Sequence, residues 1–307
     1  MIAPKFVRGT KGKPYATGWI PPLPDRRDYT KNTKAIRNMF SSLSAQSVLG
    51  TDEKLVQEQL PTQKDLSEYI PRIFDQGNIG SCTANASVSI VEYYENRAFG
   101  KHIEGSRLFV YKTTRNLLQE TGDCGAFLRT AMAALALFGV PPAKYWPYCD
   151  GKEFDREPSQ FVYGLADNFE AIKYFCHDPN GMKFTPEEVL TSVKTYIALG
   201  IPAIFGFYVF PSFDTGHYSG DIPFPGMEEA EGGHAVVAIG YDDNKRVKST
   251  LTKTKTDGAI KILNSWGEDW GVNGYGWLPY EYVRAGLASD FWSLISMRWL
   301  DTHTFGL

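Results

Sequence analysis

The chain has 307 residues, of which 43% are hydrophobic and 14% aromatic, and a formal net charge of -3. That is enough apolar material to bury a sizeable core in one large domain or two closely packed subdomains. The near-neutral charge provides no basic field for nucleic acid, and no apolar run approaches the roughly 20 residues that a membrane span requires.

Residues 1–59 read as an N-terminal extension, rich in Lys, Arg, Pro and Ser. Its first residues are positively charged but lack a following apolar stretch. No secretory signal is therefore read, and a cytoplasmic or non-classically exported protein is expected. Gly18 to Asp25, with three prolines, should be extended, because proline fixes φ and cannot donate to a ladder. A Ser- and Gln-rich stretch around 41–63 leads into the main domain, 60–307. From Cys82 to about Asn96 the apolar positions Ala84, Val88, Val91 and Tyr94 recur at helical spacing. Gly80 permits a sharp entry and Ser81 stands where an N-cap belongs. A second helix is expected over 127–138, ended by Gly139 and Pro141. A third opens at Thr185-Pro186-Glu187-Glu188, the pattern of a capping box, and closes at Gly200.

Beyond Gly200 the period changes to that of strands, at 202–210, 235–241, 259–263, 274–278 and 291–297. Asp242 to Gly258 should form an exposed hairpin. Helices first and strands second predict an α+β fold with a helical half, a β half and a cleft between them. Four cysteines, at 82, 124, 149 and 176, make neither a disulfide framework nor a zinc spacing. Reduced thiols are expected, with one bridge among Cys124, Cys149 and Cys176 as the alternative.

Three segments carry chemistry. In Gln76-Gly77-Asn78-Ile79-Gly80-Ser81-Cys82 a thiol opens a helix, where the positive end of the macrodipole favours thiolate. The glycine-rich loop can fold back so that the Gln76 amide and the Cys82 N–H converge as an oxyanion hole. In Gly232-Gly233-His234-Ala235 a histidine heads an apolar strand. In Asn264-Ser265-Trp266-Gly267 an asparagine ends one, and its side-chain oxygen could fix the imidazole tautomer under the shield of Trp266. Each alone has a plain structural reading: a small buried thiol, a strand-start histidine, an Asn turn.

Together, in this order, they resemble the papain family of cysteine peptidases. Asn264-Ser265-Trp266-Gly267 with Asn273-Gly274-Tyr275-Gly276 carries the resemblance most specifically, and it extends to Tyr145-Trp146-Pro147-Tyr148 and Gly286-Leu287. It implies a papain-like two-subdomain fold with a helical left half and a β-barrel-like right half. It further implies Cys82 as nucleophile, His234 as base and acid, Asn264 as orienter and Gln76 as oxyanion donor. Peptides or proteins would be the substrates, and no metal or organic cofactor is implied. Gly125, Ala235, Trp266 and Asp290 would line the substrate site; the plainer reading puts Asp290 in solvent or beside an arginine. The loop from Pro211 to Gly233, with Glu228, Glu229 and Glu231, stands to restrict access.

Two positions depart from the family pattern. Ile79 replaces the cysteine three residues before the nucleophile, whose usual bridge partner lies near Gly122-Asp123-Cys124-Gly125, and Thr83 replaces an aromatic. Residues 1–59 lack the helical pro-segment pattern and are expected either to cover the cleft as a latency segment or to pack on the back. The rival from another class is an inert or non-peptidase papain-like protein that binds peptides or another partner. A complete Gln, Cys, His and Asn set argues against it.

Overall fold

The cleft described below owes its position to one helix that is buried over its first three turns. The computed structural model describes residues 6–8, 14–25, 28–38, 57–166, 169–216, 219–249 and 252–299. Helix α1 (Cys82–Phe99) forms where the periodicity places it and ends on Gly100, whose φ is +65°. It packs against helices on one side and strands on the other. Asn85, Ser87, Ser89 and Glu92 are buried along with Val88, Ile90 and Val91. Two hydroxyls satisfy themselves on the preceding turn, Ser87 Oγ donating to Thr83 O at 2.7 Å and Ser89 Oγ to Asn85 O at 2.9 Å.

Helix α2 (Arg107–Leu117) was not legible in the sequence. Every residue from Arg107 to Arg115 is buried, the charged and polar ones together with the apolar. Ser106 caps it by accepting the Phe109 N–H at 3.2 Å. Helix α3 (Leu128–Phe138) follows, then the short α4 (Gln160–Ala166). Helix α5 (Pro186–Ala198) begins with the expected capping box between Thr185 and Glu188. A last short helix, α6, spans Tyr280–Arg284.

The N-terminal strands β1 (Phe6–Arg8) and β2 (Pro14–Ala16) pair as a small hairpin. The main sheet comprises β3 (Gln63–Asp65), β4 (Phe169–Cys176), β5 (Ala203–Val209), β6 (Gly232–Lys248), β7 (Lys255–Leu263), β8 (Tyr275–Pro279) and β9 (Ala288–Trp299). Its order is β4-β9-β5-β6-β7-β8, all antiparallel, with β3 added on β6. The expected α+β segregation is present, but the β half is not a closed barrel. Strands β4 and β8 end the sheet, and other chain segments cover them. The Tyr29 carbonyl accepts the Cys176 N–H at 2.8 Å, and Asp221 bridges Trp277. An edge protected in this way does not need barrel closure. The expected hairpin is the β6–β7 ribbon, with its register shift between Asp242 and Arg246. All four cysteines are free. Among the described residues no helix is long and apolar enough to cross a membrane.

Candidate active site

Because α1 packs on β6, the first residue of the helix meets the head of the strand, and the Ala235 peptide favours the thiolate of Cys82. Ser81 does not cap the helix. Its hydroxyl lies 2.6 Å from Tyr148 Oη and takes an N–H from Asn85 Nδ2 at 3.0 Å. The Thr83 N–H, which a cap would have engaged, is left uncapped, and its dipole favours the thiolate of Cys82.

His234 is fully buried, and its Nε2 lies 2.7 Å from Asn264 Oδ1. That oxygen also accepts the Ser265 N–H at 2.8 Å, which identifies it as the amide oxygen. Nε2 therefore carries the proton, and Nδ1 is the bare nitrogen, making no hydrogen bond among the described residues. Trp266 stacks on the imidazole at 4.3 Å and Phe207 meets its edge at 5.9 Å. Gln76 is fixed from both ends: its N–H donates to Ser265 O at 2.8 Å, and its Oε1 accepts the Ser265 hydroxyl at 2.7 Å. The amide nitrogen must then face the groove.

What it faces is the N-terminal segment. Gln76 Nε2 donates to the Ala16 carbonyl at 3.1 Å as well as to Ile79 O at 3.0 Å, and the Gly18 peptide dipole acts on the Cys82 thiol. Residues 17–20 run between the two halves of the fold. The Gly18 and Trp19 N–H groups both reach Gly233 O at 3.0 Å, Ala126 N–H donates to Gly18 O at 2.8 Å, and Ile20 N–H donates to Ala126 O at 3.0 Å. Tyr15 stacks on Trp266 at 4.5 Å. The approach is so close that a Cβ on Gly18 would overlap the Gly80 carbonyl, and one on Gly206 would overlap the Trp19 indole.

The Trp19 side chain fills a pocket beside Gly206 and Tyr208, and its Nε1 donates to Asp290 Oδ2 at 3.0 Å. Asp290 is thus buried and bonded to two indoles, with Arg129 acting on it only from a distance; its other oxygen accepts Trp292 Nε1 at 2.6 Å. Arg129 is taken by Asp28 instead. Burial pushes the Asp290 carboxyl up to about 6, and that of Asp178, which accepts the Asp290 and Phe291 N–H groups, to about 8. With the groove filled, burial also raises the Cys82 thiol to about 12 and lowers His234 to about 4. Thiol and imidazole are both neutral in this state. Of the residues expected at the site, Gly125 lies against Gly18, Ala235 against the thiol, and Trp266 against the imidazole.

The papain family cysteine protease profile matches residues 60–293. The chain belongs to that family. It is 32% identical over 289 residues to an uncharacterized peptidase C1-like protein of Acanthamoeba polyphaga mimivirus, covering 90% of this chain and 85% of that one. Xylellain, a cysteine protease from Xylella fastidiosa, is similar in structure with a TM-score of 0.74 and 30% identity, over 97% of this chain and 99% of that one. A procathepsin B from Trypanosoma congolense shares the fold at a TM-score of 0.61 and 18% identity, over 92% and 86% of the two chains. The protein is a cysteine-type peptidase of papain-like fold.

Against the papain pattern, the two departures have physical counterparts. Ile79 is buried in the core, and the two segments that the family usually joins by a disulfide are joined here by Asp123, which accepts the Gly80 N–H at 2.9 Å and the Tyr111 hydroxyl at 2.6 Å. Thr83 is fully buried with its hydroxyl unpaired among the described residues. Glu228, in the loop expected to restrict access, folds back to accept the Ser212 N–H at 2.9 Å. Sequence reasoning missed Ser265, although it sits inside the motif that was singled out. It also missed Trp19, which no local pattern marks.

Proposed function

We propose that the chain hydrolyses peptide bonds by acyl transfer and is made latent by its own N-terminal segment. Cys82 attacks the substrate carbonyl, and Gln76 Nε2 with the Cys82 N–H stabilises the oxyanion. His234 takes the thiol proton and delivers it to the leaving amine, while Asn264 keeps its Nε2 protonated. Water then attacks the thioester, with His234 again as base. Gly125, Ala235, Trp266 and Asp290 form walls of the substrate groove. Residues 60–307 make up the peptidase domain and residues 1–59 the extension, of which the stretch before about residue 25 is the regulatory part. Four free thiols suit a reducing compartment such as the cytoplasm.

The observation that carries this reading is the occupancy of the groove. A carbonyl of the chain itself, that of Ala16, sits on the Gln76 amide beside a thiol with no exposed surface. A site built only to bind would have no use for a bare imidazole nitrogen on the strand that packs against the cysteine's helix. The test compares turnover of a broad peptide library by the full chain, by a chain beginning at residue 21, and by Cys82→Ala in each. The shortened chain should be faster by orders of magnitude, and Cys82→Ala should abolish turnover. Equal rates for the two lengths would overturn latency, and turnover surviving Cys82→Ala would overturn the mechanism.

A further inference from the structure

Behind the loop that carries Gln76 lies a cation that the proposed chemistry has not used. Arg107, the first residue of α2, is only 9% exposed. The carboxylates that act on it from a distance, Glu92 and Glu104, are paired to Arg72 instead. Its guanidinium lies 4.2 Å from the centre of the Phe74 ring and 3.9 Å from that of Tyr148. Its Nη1 donates to the Asp75 carbonyl at 3.1 Å and to Asn85 Oδ1 at 2.9 Å. Burying a charge on carbonyl oxygens and ring faces alone is costly, and a neutral side chain could fill the same space.

What the charge does follows from the direction of the hydrogen bonds. An arginine can only donate, so Asn85 must present Oδ1 to it and Nδ2 to the other side. Asn85 Nδ2 donates to Ser81 O at 2.9 Å and to Ser81 Oγ at 3.0 Å. Tyr148 donates its proton to Gln76 O at 2.7 Å, so the 2.6 Å contact between Ser81 Oγ and Tyr148 Oη must have the serine as donor. One polarised chain therefore runs from Arg107 through Asn85, Ser81 and Tyr148 to the Gln76 peptide. It fixes both sides of the hole: Asp75 and Gln76, which carry the amide donor, and Ser81, which precedes the Cys82 N–H. In a low-dielectric setting such a chain strengthens cooperatively, and the cation at its head adds positive potential where an oxyanion would form.

Resting on the acyl-transfer reading above, we propose that Arg107 is a positioning residue for the oxyanion hole, acting through Asp75, Asn85, Ser81 and Tyr148. The experiment uses the full chain with Trp19→Ala to loosen the groove, and compares it with the same chain carrying Arg107→Met, Arg107→Lys or Tyr148→Phe. Arg107→Met should lower kcat roughly 10- to 100-fold and leave KM within about twofold. It should weaken binding of a peptide aldehyde by the same factor as kcat/KM, yet leave iodoacetamide alkylation of Cys82 within about twofold. Lysine keeps the charge and should recover part of kcat. Gln76→Ala should cost less in the Arg107→Met background than alone, because the two act as a unit. Unchanged kcat in Arg107→Met overturns the proposal, as does a fall matched by an equal fall in alkylation. Should Arg107→Met not fold, Tyr148→Phe decides, because it leaves the ring contact with the cation in place and removes only the bond to Gln76; unchanged kcat there also overturns it. A chain with Arg107 intact that turns over no peptide overturns the acyl-transfer reading itself, and this proposal with it.

Discussion

The two parts of the N-terminal extension that lie on either side of residue 26 are held in different ways. Residues 14–20 combine main-chain hydrogen bonds with deep burial of Tyr15, Ala16, Thr17 and Trp19. Their partners are the Gly233 and Ala126 main chain and the Gln76 amide, with Trp19 and Tyr15 as the anchoring side chains. Residues 28–38 lie mostly at the surface and are held by one buried anchor, by charge and by an edge contact. Ile36 is fully buried in a cluster with Phe175, Tyr196, Leu199, Ile201 and Ile295, Asp28 pairs with Arg129, and Tyr29 completes the edge of β4. The first part uses contacts that any extended peptide could make, so a substrate can compete for them. The second is part of the body of the enzyme. Under the proposed latency, the boundary that matters for activity would lie near residue 25, well before the start of the family match at residue 60.

Substitutions can break this contrast. The largest effect is expected for Trp19→Ala in the full chain. It removes a buried aromatic and its bond to Asp290, a loss of about 3 kcal/mol by analogy with core truncations, or roughly 100-fold in the population with an open groove. Iodoacetamide labelling of Cys82 should accelerate by that order while thermal stability changes little. Unaltered labelling would mean that the segment is not held by its side chains.

Next in size is Ile36→Ala, which should behave in the reverse way. It should lower global stability by about 2–5 kcal/mol and leave the labelling rate nearly unchanged, as read by denaturant melts alongside alkylation. A faster labelling rate without lost stability would merge the two parts into one.

The smallest and most discriminating effect is in the pH profile of alkylation. In the filled groove burial raises the thiol to about 12, so the full chain should label slowly, with no inflection below about pH 9. In the chain beginning at residue 21 water returns and the helix N-terminus acts on the thiol, so an inflection should appear below the ordinary cysteine value of about 8.5. Identical profiles would deny that the extension silences the nucleophile chemically as well as sterically.

Much of the site was legible before any fold was known. Gln76, Cys82, His234 and Asn264 each stand beside a local signal: a glycine-rich turn, a helix start, a strand head, a strand end. Those signals are short-range, and α1, α5 and the β6–β7 ribbon formed where they pointed. Helix α2 was not legible because its charged and polar residues are buried along with its apolar ones, and that the barrel-like β half is an open sheet was not legible because sequence pattern does not reveal which segment covers a sheet edge.

The sequence by itself determined which groups can do the chemistry, since nucleophile, base and amide donors are fixed by residue type and by the turn each occupies. Only the tertiary structure decided what fills the groove and what supports it. Trp19 meets Asp290 across 271 positions, and Gln76 meets Ala16 across 60. Backbone contacts of the kind made by Gly18 and Gly233 leave no side-chain pattern to read. A buried cation such as Arg107 has a role only through the direction of the hydrogen bonds that folding assembles around it.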